Sequence, residues 1–447
     1  MFDYYLAPFV AKSFVRNCAT FLEANSPNDL HNCADRRDFD PDMIKEVFTR
    51  PLDRYIEENG HIITDDGRNA ADIALRRLFK AHGELPGILS ICGAFNVPLT
   101  SITTRMWDFA LRRTERDVFQ AMEATVHNLC TLSSRAGGQV PFSSVNTGTD
   151  TSEEGRMVTR NLFLATEAGL GSGETAVFPI SIMKMKKGVT DKGSPNYDLF
   201  QLACRVSSKR LFPNFTSLDA PFNLQYYVPG RPETENATMG CRTRVLGNTF
   251  DPNNSIAPGR GNLFPITINL PYVALEVKES LVEGENFYDK FNEAIDSRVD
   301  DVLQMLEDRF DVISKRKAKN FPFAMGQHLY IGSENLGPND TIREVIKHGT
   351  LVVGFIGLAE TLVALTGKHH GESEDSWRMG LDIIKRMNDR VSAYAKATTM
   401  NYSFMAAPAE GCCGRLLQCT RKRFGIIPGI TDREYITNSF HKQECGL

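Results

Sequence analysis

The segment Met239-Gly-Cys-Arg-Thr-Arg244 contains the residue types best suited to chemistry. Cys241 follows a glycine and precedes two arginines, between predicted strands that end near Tyr227 and begin near Ile266. Nearby cationic side chains lower the pKa of a thiol, and the thiolate is its reactive form. In α/β barrels, chemistry takes place on loops at strand ends. The segment therefore favours a reactive Cys241, with a buried structural cysteine as the alternative.

Two other motifs favour structural roles. Gly169-Leu-Gly-Ser-Gly173 follows a predicted helix and precedes a predicted strand, whereas a dinucleotide-binding loop needs a strand, a turn and then a helix. His369 and His370 are adjacent, and no carboxylate-rich partner motif stands at metal-ligand spacing. Ser373 is a natural N-cap for the helix that follows them.

The ten cysteines predict free thiols rather than disulfides or a metal site. The chain has 447 residues and no N-terminal signal pattern, so we expect reduced cysteines and a cytoplasmic location. No Cys-x-x-Cys pair occurs, so neither a zinc ribbon nor an iron–sulfur cluster is encoded. Cys412, Cys413 and Cys419 are expected in a glycine-flanked loop, as free thiols without a role.

The composition excludes several classes of protein. Hydrophobic residues make up 42% and charged residues 24%, with a net charge of −4, which argues against disorder. This balance gives no electrostatic reason to expect nucleic acid as a partner. The longest apolar run, 351–365, contains two glycines and Glu360, so it predicts a buried core helix and no membrane span.

The elements that must position these residues are helices at first and then alternating strands and helices. Asp40 is a candidate N-cap for a helix with Pro41 at its first position. The other predicted helices cover about 67–80, 103–132, 153–168, 198–211, 291–310, 341–365 and 373–398, and the predicted strands cover 139–145, 176–183, 222–227 and 266–271. This alternation predicts an α/β fold with a mostly parallel sheet, and a barrel is plausible.

A set of segments from the middle to the end of the chain shares one resemblance. They are Ala136–Ser144, Thr166–Gly171, Lys209–Phe215, Asp219–Tyr227, Met239–Arg244, Gly259–Asn262, Ile268–Pro271, Gly354–Glu360, Gly367–Gly371, Thr431–Tyr435 and Thr437–His441. Together they resemble the catalytic core of the anaerobic, oxygen-sensitive ribonucleoside-triphosphate reductases, the class III glycyl-radical enzymes. The resemblance divides the chain into a weakly matching, mainly helical start (1–104), a catalytic barrel (105–441) and a tail without a match (442–447).

The resemblance implies a fold and a reaction. The family fold is a ten-stranded α/β barrel made of two antiparallel halves of parallel strands, which we expect to be incomplete here at both ends. In the family, a cysteine on a loop inside the barrel becomes a thiyl radical and abstracts hydrogen from the ribose of a ribonucleoside triphosphate. The product is the 2′-deoxyribonucleoside triphosphate needed for DNA replication. By its motif, the matching cysteine is Cys241.

The same resemblance implies further site residues. Asn262 or Asn269 would lie near the ribose hydroxyls, and the sequence does not choose between them. The candidate substrate-binding residues are Ser143, Ser144, Asn223, Gln225 and Arg242. No residue is assigned as a metal ligand.

The family's cofactors and partners depend on parts that this sequence does not match. In the family, a glycyl radical is generated by an S-adenosylmethionine-dependent iron–sulfur activase, and formate or a thiol system is the reductant. Neither the family's zinc-binding C-terminal module nor its N-terminal regulatory domain is matched, and Gly446 is a poor fit to the radical glycine. None of Cys18, Cys33 and Cys92 matches the family's earlier redox cysteine. We therefore expect the radical to come from a separate polypeptide, and we expect a homodimer without a membrane partner.

We therefore predict the catalytic core of an anaerobic ribonucleoside-triphosphate reductase, with three alternatives. The chain could be a catalytically incompetent fragment of that enzyme, or the barrel half of a split enzyme. It could also be a different glycyl-radical enzyme, such as an acyl-lyase. The Gly240-Cys-Arg-Thr243 context and the single rather than paired cysteine argue against the acyl-lyase.

Overall fold

A computed structural model describes residues 2–24, 40–81, 99–133, 138, 140–240, 243–245 and 247–438. The chain divides into two compact units, which are described separately. The first unit comprises residues 1–224 and 238–240, and the second comprises 225–237 and 241–447. Each unit contains a three-stranded parallel sheet, ordered β1-β2-β3 in the first and β6-β7-β8 in the second.

The first unit begins with a series of helices. They are α1 (Phe2–Ala24), α2 (Pro41–Met43), a π-helical turn (Ile44–Thr49), α3 (Arg50–Asn59), α4 (Asp65–Ala81) and α5 (Leu99–Thr131). Asp40 caps α2 by accepting a hydrogen bond from the Asp42 amide, with Pro41 at the first helical position, as predicted. Phe14, Phe48 and Phe163 are fully buried in the core that these helices form with the sheet.

The sheet of the first unit alternates with helices in the expected way. The elements are β1 (Ser144–Thr147), α6 (Glu153–Ala168), β2 (Ile180–Met185), α7 (Tyr197–Arg210), β3 (Asn214–Ser217) and α8 (Pro221–Leu224), and they are followed by β4 (Ala237–Met239). Val145 packs against the helical core. Because side chains alternate along a strand, Ser144 and Asn146 lie together on the opposite face of β1.

The second unit repeats the arrangement of a sheet with helices. It contains β5 (Thr243–Val245), β6 (Asn262–Asn269), α9 (Leu270–Ser280), α10 (Phe287–Ser314), α11 (Pro322–Gly326), α12 (Arg343–Ile346), β7 (Thr350–Ile356), α13 (Leu358–Thr366), α14 (Glu374–Thr398), β8 (Tyr402–Ala406) and α15 (Glu410–Phe424). Short 3₁₀ turns lie at Pro232–Thr234, Pro252–Asn254, Ala318–Asn320 and Ser333–Asn335. The predicted apolar stripe of α10, from Phe291 to Phe310, is buried.

Several local predictions are confirmed. Helix α6 has the predicted bounds and ends at Gly169, whose positive φ of 81° suits a glycine. Ser373 caps α14 by accepting a hydrogen bond from the Ser376 amide. Residues 169–173 form a turn between a helix and a strand, in which the Leu170 amide donates to the Glu174 carbonyl.

The predicted core helix over 351–365 is wrong in its first half. Residues Thr350–Ile356 form β7, which is buried along its whole length, and only Leu358–Thr366 is helical. A continuous run of β-branched and apolar residues is typical of a strand covered on both faces, and periodicity alone does not separate it from a buried helix. Gly357, with φ of 80°, separates the two elements.

Three further predictions need correction. Residues 222–227 do not form a strand, because Pro221–Leu224 is a short helix in which the Asn223 side chain donates to the Ser217 carbonyl. The strand predicted over 266–271 is longer and earlier, at Asn262–Asn269. Cys412, Cys413 and Cys419 lie on helix α15 rather than in a loop, and none of these three forms a disulfide bond.

The fold class is confirmed as α/β with parallel sheets. The sheets of the described residues include two three-stranded parallel ones, and the described residues do not show the closed ten-stranded barrel of the expected family fold. In the described part of the chain, no helix is both long and apolar enough to cross a membrane.

Candidate active site

In the first unit, the segment that leads to Cys241 is fastened to β1. The Asn146 side chain donates from Nδ2 to the Thr238 carbonyl at 2.8 Å, and its Oδ1 accepts the Thr238 amide at 2.9 Å. Ser144 lies two residues before Asn146, and Gly240 lies two residues after Thr238. The Gly240 amide donates to Ser144 Oγ at 3.2 Å. We call these contacts of Ser144, Asn146, Thr238 and Gly240 the β1 anchor. It holds backbone as far as the residue before Cys241.

Gly240 occupies a position that disfavours any side chain. Its φ is 55°, in the left-handed region, and a Cβ built there would lie 3.0 Å from the Phe142 ring. Phe142 packs edge-on against Phe178, with ring centroids 5.1 Å apart. Phe178 is in turn held by Cys130, whose thiol donates to its carbonyl at 3.0 Å. The positive φ and the nearby Phe142 ring therefore explain why the Met-Gly-Cys motif has a glycine at this position.

In the second unit, the chain after Cys241 is held by a buried polar cluster. Asn248 Nδ2 lies 2.9 Å from His348 Nδ1, and Asn248 Oδ1 accepts from Asn401 Nδ2 at 2.9 Å and from the Asp251 amide at 3.2 Å. Arg260 donates to the His348 carbonyl at 2.9 Å. We call Asn248, His348, Asn401 and Arg260 the Asn248 network. His348 lies two residues before β7, and Asn401 lies immediately before β8.

The hydrogen bonds of this network fix the protonation state of His348. Because the oxygen of Asn248 already accepts two hydrogen bonds, its NH₂ group faces Nδ1, which must be the acceptor. His348 is therefore neutral, with its proton on Nε2. Burial lowers the pKa of His348, and the charge of Arg260 acts in the same direction. Burial also lowers the pKa of Arg260 to about 10, so it stays charged at neutral pH.

The two candidate asparagines are the first and last residues of β6. Seven steps along a strand correspond to roughly 23 Å, so one ribose cannot contact both side chains. Asn269 donates from Nδ2 to Thr420 Oγ1 at 3.0 Å, which leaves only its oxygen unpaired among the described residues. Asn262 has no side-chain hydrogen bond to any described residue, and its Oδ1 is buried. The amide of Asn262 is thus the more available of the two.

Two of the family-like segments meet at the carboxyl end of β7. Glu360 is fully buried, and its Oε1 accepts from the Thr437 amide at 2.9 Å, from the Thr437 hydroxyl at 2.6 Å and from Arg433 at 3.2 Å. The Gly357 amide donates to the Thr437 carbonyl at 2.7 Å. Residues 433–437 are therefore pinned across the end of the strand.

The remaining predicted site residues are placed as follows. Ser143 Oγ is buried without a hydrogen-bond partner among the described residues. Asn223 is buried on α8, and Gln225 is exposed in the other unit. Cys241, Arg242 and Gly446 lie outside the described residues. In the described part of the chain, no group of three or more His, Cys, Asp or Glu side chains could hold a metal ion.

Asn146, His348 and Asn401 are residues that sequence reasoning did not find. Their partners lie 92, 100 and 153 positions away along the chain, so no local pattern connects them. The one available signal for Asn146 was its spacing of two from Ser144, because this spacing places both side chains on one face of a strand.

The fold is that of an α/β protein with helix-covered parallel sheets, and solved structures share it. A structure described as anaerobic ribonucleotide reductase matches with a TM-score of 0.52 at 13% identity, over 74% of this chain and 51% of that one. The anaerobic ribonucleotide reductase from Thermotoga maritima with glycerol in the active site matches with a TM-score of 0.51 at 14% identity, over 74% and 53%. At such identities the similarity concerns the fold.

The sequence comparisons are more specific. The family described as anaerobic ribonucleoside-triphosphate reductase matches residues 1–444, and the chain belongs to this family. Relatives named anaerobic ribonucleoside-triphosphate reductase are 34% identical over 334 residues in Escherichia coli (strain K12) and 33% over 342 in Salmonella typhimurium. The relative in Enterobacteria phage T4 is 31% identical over 338 residues. These matches cover 73–75% of this chain.

Two consequences follow for the expectations from sequence. The family match begins at residue 1, so it includes the mainly helical start of the chain. The chain spans about half the length of the curated relatives it matches, since the aligned parts cover 44%, 45% and 52% of those proteins.

Proposed function

We propose that this chain carries the substrate-reducing core of an anaerobic ribonucleoside-triphosphate reductase, with Cys241 as the reactive thiol. The observation that carries the proposal is the β1 anchor. It fixes Gly240 within a family-matching motif, on the polar face of a parallel strand, and Cys241 is the next residue. A radical-carrying thiol needs such a fixed starting point, because hydrogen transfer depends on near-contact between the reacting atoms.

The proposed chemistry follows from the strengths of two bonds. The Cys241 sulfur radical takes a hydrogen atom from C3′ of the ribose, so that an S–H bond forms as a C–H bond breaks. The two bonds are similar in strength, so the transfer is reversible. A glycyl radical made by an S-adenosylmethionine-dependent iron–sulfur activase supplies the initial radical. Loss of the 2′-hydroxyl as water consumes two electrons, which formate or a thiol provides.

We infer that Asn262, rather than Asn269, binds the ribose hydroxyls. Its amide carries one acceptor and two donor hydrogens, which suits a vicinal diol, and it forms no side-chain hydrogen bond to described residues. Asn269 is already engaged with Thr420. Ser143, whose buried hydroxyl is unpaired among described residues, Ser144, Asn223, Gln225 and Arg242 are the proposed contacts to the rest of the nucleotide.

The remaining parts of the proposal concern partners and setting. The substrates are ribonucleoside triphosphates, the activase is a protein partner, and the enzyme works as a homodimer in the cytoplasm. None of these parts requires nucleic acid or a membrane.

The test supplies the chain with what the proposal says it needs. The chain is purified without oxygen and mixed with the glycyl-radical C-terminal module of a family member, its activase, S-adenosylmethionine and formate. Deoxynucleotide formation from each ribonucleoside triphosphate is then quantified. We expect Cys241→Ser to abolish the product. The matched control is Cys204→Ser, which removes an exposed free thiol of α7 and should leave the yield unchanged.

Each outcome is decisive. Equal yields from Cys241→Ser and the parent chain would refute the assignment of Cys241. If the parent yields no deoxynucleotide although the glycyl-radical EPR doublet is present, the incompetent-fragment alternative is correct.

A further inference from the structure

The Asn146 side chain acts toward Thr238 as the backbone of a strand would. Its carboxamide pairs with both the amide and the carbonyl of one residue, at 2.9 and 2.8 Å. Both residues are at least nine-tenths buried, so water does not easily replace these bonds. The two bonds attach the Thr238 backbone to β1.

The order of the contacts defines the direction of the held segment. Asn146 contacts Thr238, and Ser144 contacts Gly240, so the segment runs antiparallel to β1. A step of two residues advances an extended chain by about 6.6 Å on both sides, so the two contacts have the same spacing. Two points of attachment fix both the position and the direction of the segment.

We propose that Asn146 is a positioning residue for the reaction: by holding Thr238 it sets where the chain enters the Cys241 loop. The inference rests on the proposed function, because it takes Cys241 as the reacting thiol. Ser144 is the second, weaker point of attachment, since it provides one hydrogen bond rather than two. Asparagine is required at 146 because the pairing needs one donor and one acceptor on the same short side chain.

The first test is amide hydrogen exchange on the full chain. Leucine has nearly the shape of asparagine but neither donor nor acceptor, so Asn146→Leu should speed exchange of the Thr238 amide by about ten-fold. The matched control is Asn161→Leu, which removes another buried asparagine of the same unit, one that donates to the Met157 carbonyl within α6. It should leave the exchange rate at Thr238 unchanged.

A conservative variant separates positioning from general packing. In Asn146→Asp the carboxylate still accepts the Thr238 amide but repels the Thr238 carbonyl, and once protonated it regains a donor. Burial raises the pKa of such a carboxyl. Exchange at Thr238 in this variant should therefore slow toward the parent rate as the pH is lowered to about 5, after correction for intrinsic rates. A purely structural role would show no such rescue.

The link to Cys241 is read from its reactivity toward iodoacetamide. The tryptic peptide that ends at Arg242 contains Cys241 as its one cysteine, so mass spectrometry resolves it, and exposed Cys204 is the internal reference. We expect Asn146→Leu to change the ratio of the Cys241 rate to the Cys204 rate by at least about three-fold. If Asn146→Leu does not fold, Ser144→Ala replaces it, with the same but smaller effects.

Two results would overturn the inference. One is unchanged exchange at Thr238 in a folded Asn146→Leu chain, and the other is faster exchange with an unchanged ratio of thiol rates. Neither readout requires catalysis. Failure of the proposed function would instead appear as equal deoxynucleotide yields from Cys241→Ser and the parent chain.

Discussion

The segments before and after Cys241 are held by different chemistry. Before it, the β1 anchor consists of uncharged hydrogen bonds from two side chains of one strand to backbone. After it, the Asn248 network ties the loop to residues beside β7 and β8 through a histidine that must be neutral and an arginine that is charged. The segment before Cys241 should therefore be insensitive to pH, whereas the segment after it should loosen in acid.

The largest expected effect comes from Asn248→Ala. The change leaves His348 Nδ1 and the Asp251 amide without this partner, and it removes one acceptor of Asn401 Nδ2, which still donates to the Lys347 carbonyl at 3.1 Å. A buried polar group that is left unsatisfied is costly. We expect the free energy of unfolding, measured with urea, to fall by about 3 kcal/mol. Asn254→Ala, on the exposed side of the same loop, should change it by less than about 0.5 kcal/mol. A loss below about 1 kcal/mol for Asn248→Ala would show that the network is not a main anchor.

Asn146→Leu should lower the free energy of unfolding by less, about 2 kcal/mol, because two neutral hydrogen bonds are lost. The double variant Asn146→Leu with Asn248→Ala tests whether the two anchors act independently. Since the two anchors share no hydrogen-bonding residue, their costs should add within about 0.5 kcal/mol in urea unfolding. A coupling energy above about 1 kcal/mol would mean that they act as one unit.

Gly240→Ala should lower the free energy of unfolding by about 1 kcal/mol, because alanine disfavours the positive φ and its Cβ contacts the Phe142 ring. Gly171→Ala is the matched control in the same unit, since Gly171 has an ordinary φ and open space around its Cβ position. Its thermal midpoint should stay within the error of the parent. Equal midpoints for both variants would remove the steric reason for the glycine in the motif.

The smallest effect concerns pH. Burial lowers the pKa of His348, Arg260 lowers it further, and the carboxylates of Asp251 and Glu344 oppose this. The unfolded chain therefore binds a proton more readily, so this contribution to stability is present above the ordinary pKa of about 6.5 and is lost as the pH falls below it. In His348→Asn an amide oxygen can accept from Asn248 without titrating. Its free energy of unfolding should depend less on pH between 7 and 5 than that of the parent.

Local signals predicted much of the secondary structure. The side chains of Asp40 and Ser373 and the positive φ of Gly169 act within a few residues, so helix ends could be placed from sequence. The run 351–365 failed because a buried strand followed by a buried helix has the same apolar composition as one helix. Whether such a run forms a strand or a helix depends on pairing with other strands, and a short segment of sequence does not reveal that pairing.

The site was predictable only where a motif carried it. Cys241 and Ser144 could be selected from residue types and resemblance, and Asn262 and Asn269 could be selected but not distinguished. Asn146 and His348 were not found, because each acts through a partner about a hundred positions away. Distances in the folded chain, rather than residue types, reveal what holds the segments on either side of the cysteine.

The most direct test of this account compares the two flanks of Cys241 in one sample. Amide exchange is measured at Thr238, held by Asn146, and at Thr249, whose amide donates to Asn401 Oδ1 at 2.6 Å. After correction for intrinsic rates, lowering the pH from about 7.5 to about 5.5 should reduce protection at Thr249 and leave Thr238 unchanged, because only the Asn248 network contains a histidine. Protection that changes equally at both sites, or at neither, would contradict the account.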